Sequence, residues 1–280
     1  MINERTTLIL AQLDDIHALA VAEYLPSYVF IDDKTIENNL TITTDLDSET
    51  AVYIDGKPLN VTSVFWRNLD IYPFDLTKHF CNSIGYMKLF LESFREANWV
   101  NPLPPFISHY TKVDQFRSLD ILKPQTLITN NLFDARKFIS MFDSVAVKPV
   151  AGGKHTKRYW KPSKLKKLNE PMTFQEYIPG TNIRSFVIGN KVYSAEIETD
   201  NDDFRIDGDY TYTPIKLSPK EQQLALDITS MLGYKWTAID WIRYENNLYF
   251  LEANFSPAFI FFEQQTGYPI TRKLANLLIE

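Results

Sequence analysis

Short apolar blocks alternate with longer amphipathic stretches along this chain, and the two periods predict strands and helices. Thr7–Gln12 (TLILAQ) reads as a buried first strand. Asp14 or Asp15 can cap the helix that follows, with Ile16, Leu19, Ala20 and Tyr24 at helical spacing, and Tyr28–Asp32 (YVFID) reads as a second strand. A strand, a helix and a strand in that order predict a parallel α/β unit. No glycine-rich phosphate loop joins the first strand to its helix, so this region has no dinucleotide fingerprint.

Leu40–Thr44 and Ala51–Ile54 alternate as strands, with a turn at Asp55-Gly56-Lys57, and Ser63–Arg67 (SVFWR) is a further short strand. Phe80–Asn98 is expected to be a helix with Ile84, Met87, Leu91 and Phe94 on one stripe. Asn101-Pro102-Leu103-Pro104-Pro105 marks a linker. Beyond it, Lys112–Leu122 is expected to be helical, Thr126–Thr129 a strand and Phe133–Met141 a helix. Ser144–Pro149 (SVAVKP) is a strand with Lys148 near its end, and Val150–Lys154 forms a glycine-containing loop. Thr173–Ile178 (TFQEYI) is a strand, and Arg184–Ile188 and Lys191–Glu198 form a hairpin across Gly189-Asn190. Pro219–Leu232 is a helix, Lys235–Asp240 and Asn247–Glu252 form a second hairpin across a polar turn, and Arg272–Ile279 is a final helix. The expected division is a first domain over 1–100, a central one over 101–180 and a C-terminal one over 181–280.

The bulk numbers add limits rather than detail. Hydrophobic residues make up 45% and charged residues 23% of the 280 positions, an ordinary globular composition. A net charge of -6 argues against nucleic acid or an anionic membrane surface as partner. Cys81, the single cysteine, has no partner for an internal disulfide. The N-terminal run has no signal-peptide pattern and no stretch reaches the length of a membrane span, so a cytoplasmic location is expected.

The most telling chemistry lies in the second hairpin. Asp240, Glu252 and Asn254 can converge there, because residues facing one way on paired strands become neighbours. Two carboxylates and an amide oxygen are hard ligands suited to Mg2+. Taken singly, each of these residues is better explained by a strand end capped by backbone N–H groups or facing water. Lys148, followed by Gly152 and Gly153 and then by Lys154, His155, Lys157 and Arg158, is a second candidate, suited to holding phosphate oxygens. The bland alternative is a solvated basic loop. The segment Gln175, Glu176, Tyr177 and Ile178 offers backbone groups of the kind a purine needs, or is an ordinary amphipathic strand. Arg184 and Arg205 suit phosphate or carboxylate recognition, although Arg205 lies among aspartates that could simply pair with it. His17, His79, His109 and His155 have no metal-ligand spacing, and no serine–histidine pairing is evident.

In this order, the strand lysine, glycine loop, QEY hinge, NIR strand, FR loop and D…EAN hairpin resemble the ATP-grasp superfamily, in particular its RimK-like ligases. The resemblance runs from about Tyr110 to the C-terminus. It implies an α/β (α+β) ATP-grasp fold with a Rossmann-like N-terminal domain. It implies nucleotide contacts at Lys112, Lys148, Gly152, Gly153, Gln175, Glu176, Tyr177 and Ile178, catalytic roles for Arg184 and Arg205, and metal ligation by Asp240, Glu252 and Asn254. The implied cofactors are ATP and one or two Mg2+ ions, with Mn2+ as a substitute. Near the N-terminus, "LILAQLDDIHALAVAEYL" and "SVFWRNLD" resemble the first domain of microviridin-type ligases, which cross-link ribosomal peptides (graspetides). The activity implied is ATP-dependent joining of a carboxylate to an amine or hydroxyl on a peptide substrate. An amino-acid or small-peptide ligase of RimK type, and a nucleotide-binding module without turnover, are the alternatives. Self-association is common among RimK-like ligases.

Overall fold

The computed structural model describes residues 6–43, 51–67, 85–86, 88–102, 112–150, 156–159, 161–199 and 210–280. The chain divides into two compact units, one of residues 1–102, 258–263 and 269–280, the other of 103–257 and 264–268.

In the first unit the elements run β1 (Thr7–Leu10), α1 (Ile16–Ala22), β2 (Tyr28–Ile31), α2 (Asp33–Asn38), β3 (Leu40–Thr43), β4 (Ala51–Ile54), β5 (Lys57–Pro58), β6 (Ser63–Trp66) and β7 (Asn98–Val100). Strands β2, β1, β6 and β7 lie side by side in that order, all parallel. Every residue of β1 is buried, which is why TLIL reads as one apolar run: a central parallel strand is covered on both faces. Strands β3, β4 and β5 make a small antiparallel sheet. Asp55 and Gly56 both take positive φ at its tight turn, where glycine's freedom is needed.

Two expectations for this unit are corrected. The buried face of α1 is Ala18, Val21 and Ala22, whereas Ile16, Leu19 and Tyr24 are exposed. The residues it buries are the smaller ones, and the helix packs against the last helix of the chain, Ile270–Ile279. The stretch ending at Asn98 is helical only to residue 92 within its described part, and Asn98 opens β7. Residues 80–84 and 87 of that expected helix lie outside the described residues.

Asp15 caps α1 by accepting from the backbone N–H groups of His17 and Ala18 at 2.8 and 3.0 Å. Its other oxygen accepts from Arg67 Nε at 3.2 Å, and Arg67 is buried at 2% exposure. His17 Nδ1 accepts from the N–H groups of Phe259 and Ile260 at 3.3 and 3.2 Å, so the imidazole is neutral with its proton on Nε2. Burial, reinforced by the Arg67 cation and opposed by Asp15, pushes the His17 pKa down to about 4. An unfolded chain therefore takes up a proton between pH 6.5 and 4 that the folded protein refuses. The stability at stake is complete above pH 6.5 and falls as the pH drops towards 4. Urea unfolding at pH 7.5 and 4.5 should show this loss in the native protein and a clearly smaller one in His17→Gln.

The second unit opens with α3 (Val113–Ser118), β8 (Thr126–Thr129), α4 (Leu132–Ile139), β9 (Val145–Pro149), β10 (Lys157–Tyr159) and β11 (Met172–Glu176). An antiparallel sheet in the order β10-β9-β11-β8 results. The expected helix over Lys112–Leu122 is shorter than its apolar spacing suggests: Lys112 takes a left-handed conformation at its start and Leu119 is extended. Strand β10 lies within the stretch read from sequence as a solvated basic loop.

The second sheet contains β12 (Thr181–Ile188), β13 (Lys191–Glu198), β14 (Thr211–Ile215), β15 (Trp236–Tyr244) and β16 (Asn247–Asn254), ordered β14-β13-β12-β15-β16 and antiparallel throughout. Helix α5 (Pro219–Met231) covers its apolar face. Ala225 and Ile228 pack there with Ile183, Ile239, Trp241 and Phe250. A capping box starts the helix: Glu221 N–H donates to Ser218 Oγ, and Ser218 N–H donates back to the Glu221 carboxylate. The chain ends in α6 (Ile260–Thr266) and α7 (Ile270–Ile279). None of the described helices is long and apolar enough to cross a membrane.

Candidate active site

The polar face of the second sheet carries the site, and strand register explains how. Arg184 on β12 lies opposite Asp240 on β15, and Asp240 lies opposite Glu252 on β16. Directly opposed residues in antiparallel strands point the same way, so the three side chains form one row across three strands. Ala238 faces Asn254, which places Asn254 on the same face, two residues beyond Glu252.

The neighbouring residues need the opposite orientation. Trp241 and Phe250 are buried in the core, at 1% and 0% exposure, and pack edge to face with centroids 5.9 Å apart. Unbroken alternation would put Phe250 and Glu252 on one face. The pairing instead slips between Asp240 and Trp241, so Leu251 is an extra residue on β16, a β-bulge. The bulge lets Phe250 enter the core while Glu252 and Asn254 stay on the polar face.

The row is tightly bonded. Arg184 Nε and Nη2 donate to the two Asp240 oxygens at 2.7 and 2.8 Å, a bidentate pair with both side chains 14% exposed. Arg184 Nη1 also donates to the Tyr212 hydroxyl at 3.4 Å. Burial alone would lower the Arg184 pKa, but the Asp240 carboxylate outweighs it and the guanidinium is held protonated above its ordinary range. Tyr212 is pushed up to about 12, chiefly by burial, and stays neutral. Asn254 Nδ2 donates to Asp240 Oδ2 at 3.2 Å and to Glu252 Oε1 at 3.5 Å, so the three proposed metal ligands touch one another. Among the described residues there is no group of three or more His, Cys, Asp and Glu placed to hold a metal. The cluster here has two carboxylates and an amide whose Nδ2 faces them while its Oδ1 accepts from Lys112, so a flip of the amide brings in a third oxygen. That hard, oxygen-only donor set fits Mg2+.

Lys112 approaches from the start of α3. Its Nζ donates to the Ala253 carbonyl at 2.9 Å and to Asn254 Oδ1 at 3.1 Å. Burial lowers the Lys112 pKa, Glu252 and Asp240 work against that, and Lys148 adds to it. Lys148 Nζ donates to Gln175 Oε1 at 3.3 Å. Lys112, Phe116, Lys148, Thr173 and Glu252 line one cleft, so both lysines and a candidate metal ligand share it.

The hinge segment is partly used by the fold itself. Glu176 N–H donates to the Gln125 carbonyl at 2.8 Å, the Glu176 carboxylate accepts from Gln125 N–H at 3.1 Å, and Tyr177 N–H donates to the Ser144 carbonyl at 3.2 Å. The Arg158 guanidinium lies 3.7 Å from the centre of the Tyr177 ring. Ile178 is buried at 6% exposure. Arg205, Gly152 and Gly153 lie outside the described residues. Two residues near the candidate metal ligands are not marked by the sequence: Tyr212, and Gln115, whose side chain bonds the Ala253 backbone. Gln115 looks like any polar helix residue in sequence, and nothing in the spacing marks it.

Two units with a parallel sheet in the first, and two antiparallel sheets sharing a lysine-lined cleft in the second, define an ATP-grasp fold. Residues 112–278 match the RimK-like ATP-grasp domain, and the chain belongs to that family. A probable alpha-L-glutamate ligase of Parasynechococcus marenigrum is 36% identical over 122 residues, 41% of this chain and 25% of that protein. The tetrahydromethanopterin:alpha-L-glutamate ligase of Methanocaldococcus jannaschii is 27% identical over 177 residues, 56% of this chain and 61% of that one. The chain thus spans less than two thirds of the length of these curated relatives. Among solved structures, the ATP-grasp ligase PsnB complexed with minimal precursor superposes with a TM-score of 0.83 at 22% identity, over 99% of both chains. The macrocyclase MdnC of Microcystis aeruginosa MRC, bound with its precursor peptide, gives 0.81 at 20% identity over 98% of this chain and 99% of that one.

Proposed function

We propose that this protein is an ADP-forming ligase that activates a peptide carboxylate as an acyl phosphate and joins it to a hydroxyl or amine, closing a cross-link within the peptide. The observation that carries the reading is the row Arg184–Asp240–Glu252, continued by Asn254, with Lys112 beside it and Lys148 in the same cleft. Asp240, Glu252 and Asn254 would hold Mg2+, which supplies charge neutralisation for the β- and γ-phosphates when bound. Lys112 and Lys148 would bind the phosphates that are not transferred. Arg184 is fixed by Asp240 and Tyr212, so it would steady the transferred group with little reorganisation. Gly152 and Gly153 would let their loop fold over the nucleotide and exclude water, and Arg205 would serve the acyl-phosphate side. The Glu176–Ile178 segment would receive the base through its remaining backbone groups.

The peptide substrate is supported by the end-to-end likeness to PsnB and MdnC, whose structures contain precursor peptides. A second reading, addition of glutamate or another amino acid to a free carboxylate, is supported by the glutamate-ligase relatives. An ADP-release assay with Mg2+ separates the two when products are weighed by mass spectrometry. Candidate substrates are acidic peptides containing Thr, Ser or Lys, and free glutamate with small carboxylate acceptors. Loss of one water per ADP within a single peptide supports cross-linking, and joining of two molecules supports the amino-acid ligase. Turnover with neither group of substrates counts against both.

A further inference from the structure

Helix α3 meets β16 at a point the reading above does not use. β16 is an outer strand of its sheet, and Ala253 lies on it between Glu252 and Asn254. The Ala253 N–H donates to Gln115 Oε1 at 2.9 Å, and its carbonyl accepts from Gln115 Nε2 at 2.8 Å. Lys112 Nζ adds a second bond to the same carbonyl at 2.9 Å. Gln115 is 3% exposed, with the Tyr234 hydroxyl near its side chain.

A primary amide presents the same donor and acceptor as a peptide group. Gln115 therefore pairs with Ala253 as a neighbouring strand would, at an edge where the sheet offers no further strand. This matters most at that residue. The planes of the two peptide groups flanking Ala253 set the directions in which the Glu252 and Asn254 side chains leave the backbone, and the Leu251 bulge immediately before them loosens the ladder from the other side.

We propose that Gln115 is a positioning residue for the metal ligands: by clamping both backbone groups of Ala253, it fixes the spacing and facing of Glu252 and Asn254. The inference rests on the metal assignment made under the proposed function. Partners that orient ligands from behind typically change metal affinity about 10- to 100-fold when removed. A merely structural glutamine would lower the melting temperature and leave metal affinity alone.

The test uses the full chain and three variants. Gln115→Met keeps length and volume but removes both hydrogen bonds. Val187→Ala creates a cavity in the same core away from the strand edge and controls for lost stability. Tyr234→Phe removes only the hydroxyl beside Gln115, and serves if Gln115→Met does not fold. Three quantities are read: Mn2+ binding to the protein–ADP complex by electron paramagnetic resonance, ADP binding without metal, and hydrogen exchange of the β16 amides. Gln115→Met is expected to weaken Mn2+ binding at least about tenfold. It should also speed exchange at Ala253 and leave metal-free ADP binding unchanged. Tyr234→Phe should shift Mn2+ binding in the same direction by less, and Val187→Ala should leave it as in the native protein. Native Mn2+ affinity in Gln115→Met, or an equal loss in Val187→Ala, overturns the proposal while the metal site stands. If the native protein itself binds no Mn2+ with ADP, the metal assignment fails and the proposal falls with it.

Discussion

Glu252→Gln is expected to stop ADP release almost completely while leaving the fold in place. The substitution keeps the shape of the side chain and one oxygen, and removes the negative charge. Glu252 is only partly buried, and the 3.5 Å bond it accepts from Asn254 can still be accepted by a glutamine oxygen. Catalysis depends on it far more, because the cation-binding face then offers one carboxylate instead of two. Loss of one such electrostatic contribution in a preorganised site typically costs about 100- to 1,000-fold in rate. A melting curve superimposable on the native one, with ADP release reduced by at least that factor, is the expected pair of results. A variant that turns over within a few fold of native would show that Glu252 is not a metal ligand.

The second large effect concerns the Arg184–Asp240 pair, and it is chiefly one of stability. Both side chains are 14% exposed and joined by two short bonds. Removing one partner leaves a buried charge without its counter-ion, which typically costs about 3–5 kcal/mol. Arg184→Met and Asp240→Asn should therefore each unfold at markedly lower urea concentration. Together they should cost clearly less than the sum of the two, because the double variant leaves no stranded charge. Additive losses in urea unfolding would mean that the two side chains are not coupled. This pair also separates the two aspects of the site: Glu252 can be neutralised at little structural cost, and Asp240 cannot.

The extent to which the sequence predicts these features depends on how local their causes are. The β15–β16 hairpin is legible because turn residues and alternation act over a few positions, and Glu245 and Asn246 do take the positive φ values a tight turn needs. Convergence of Asp240, Glu252 and Asn254 follows from that hairpin. The bulge at Leu251 does not, since it satisfies a packing demand of Trp241 and Phe250 that exists only in three dimensions. β7 and β10 have three residues each, too few for a period to emerge. On α1 the size of the apolar residues misleads, since the larger Ile16 and Leu19 are exposed while Ala18, Val21 and Ala22 are buried. Lys112 could be named from a motif, but its partners Ala253 and Asn254 could not. Gln115, whose role rests wholly on a distant strand edge, left no trace at all.

The bonds from Gln115 to Ala253 link residues 138 positions apart. A contact of that range enters late in folding, because the entropy of closing so long a loop has to be met by structure already formed around it. The sheet from β12 to β16 joins two tight hairpins, β12–β13 and β15–β16, through the longer-range pairing of β12 with β15, and α3 reaches its outer edge from far upstream. Lys112 and Gln115 sit on one turn at the start of α3, so both reach β16 from the same place. During synthesis on the ribosome, α3 emerges well before the strand it must meet, and the catalytic face stays incomplete until β16 has been made. A chain cut short before Ala253 would lose this completing contact.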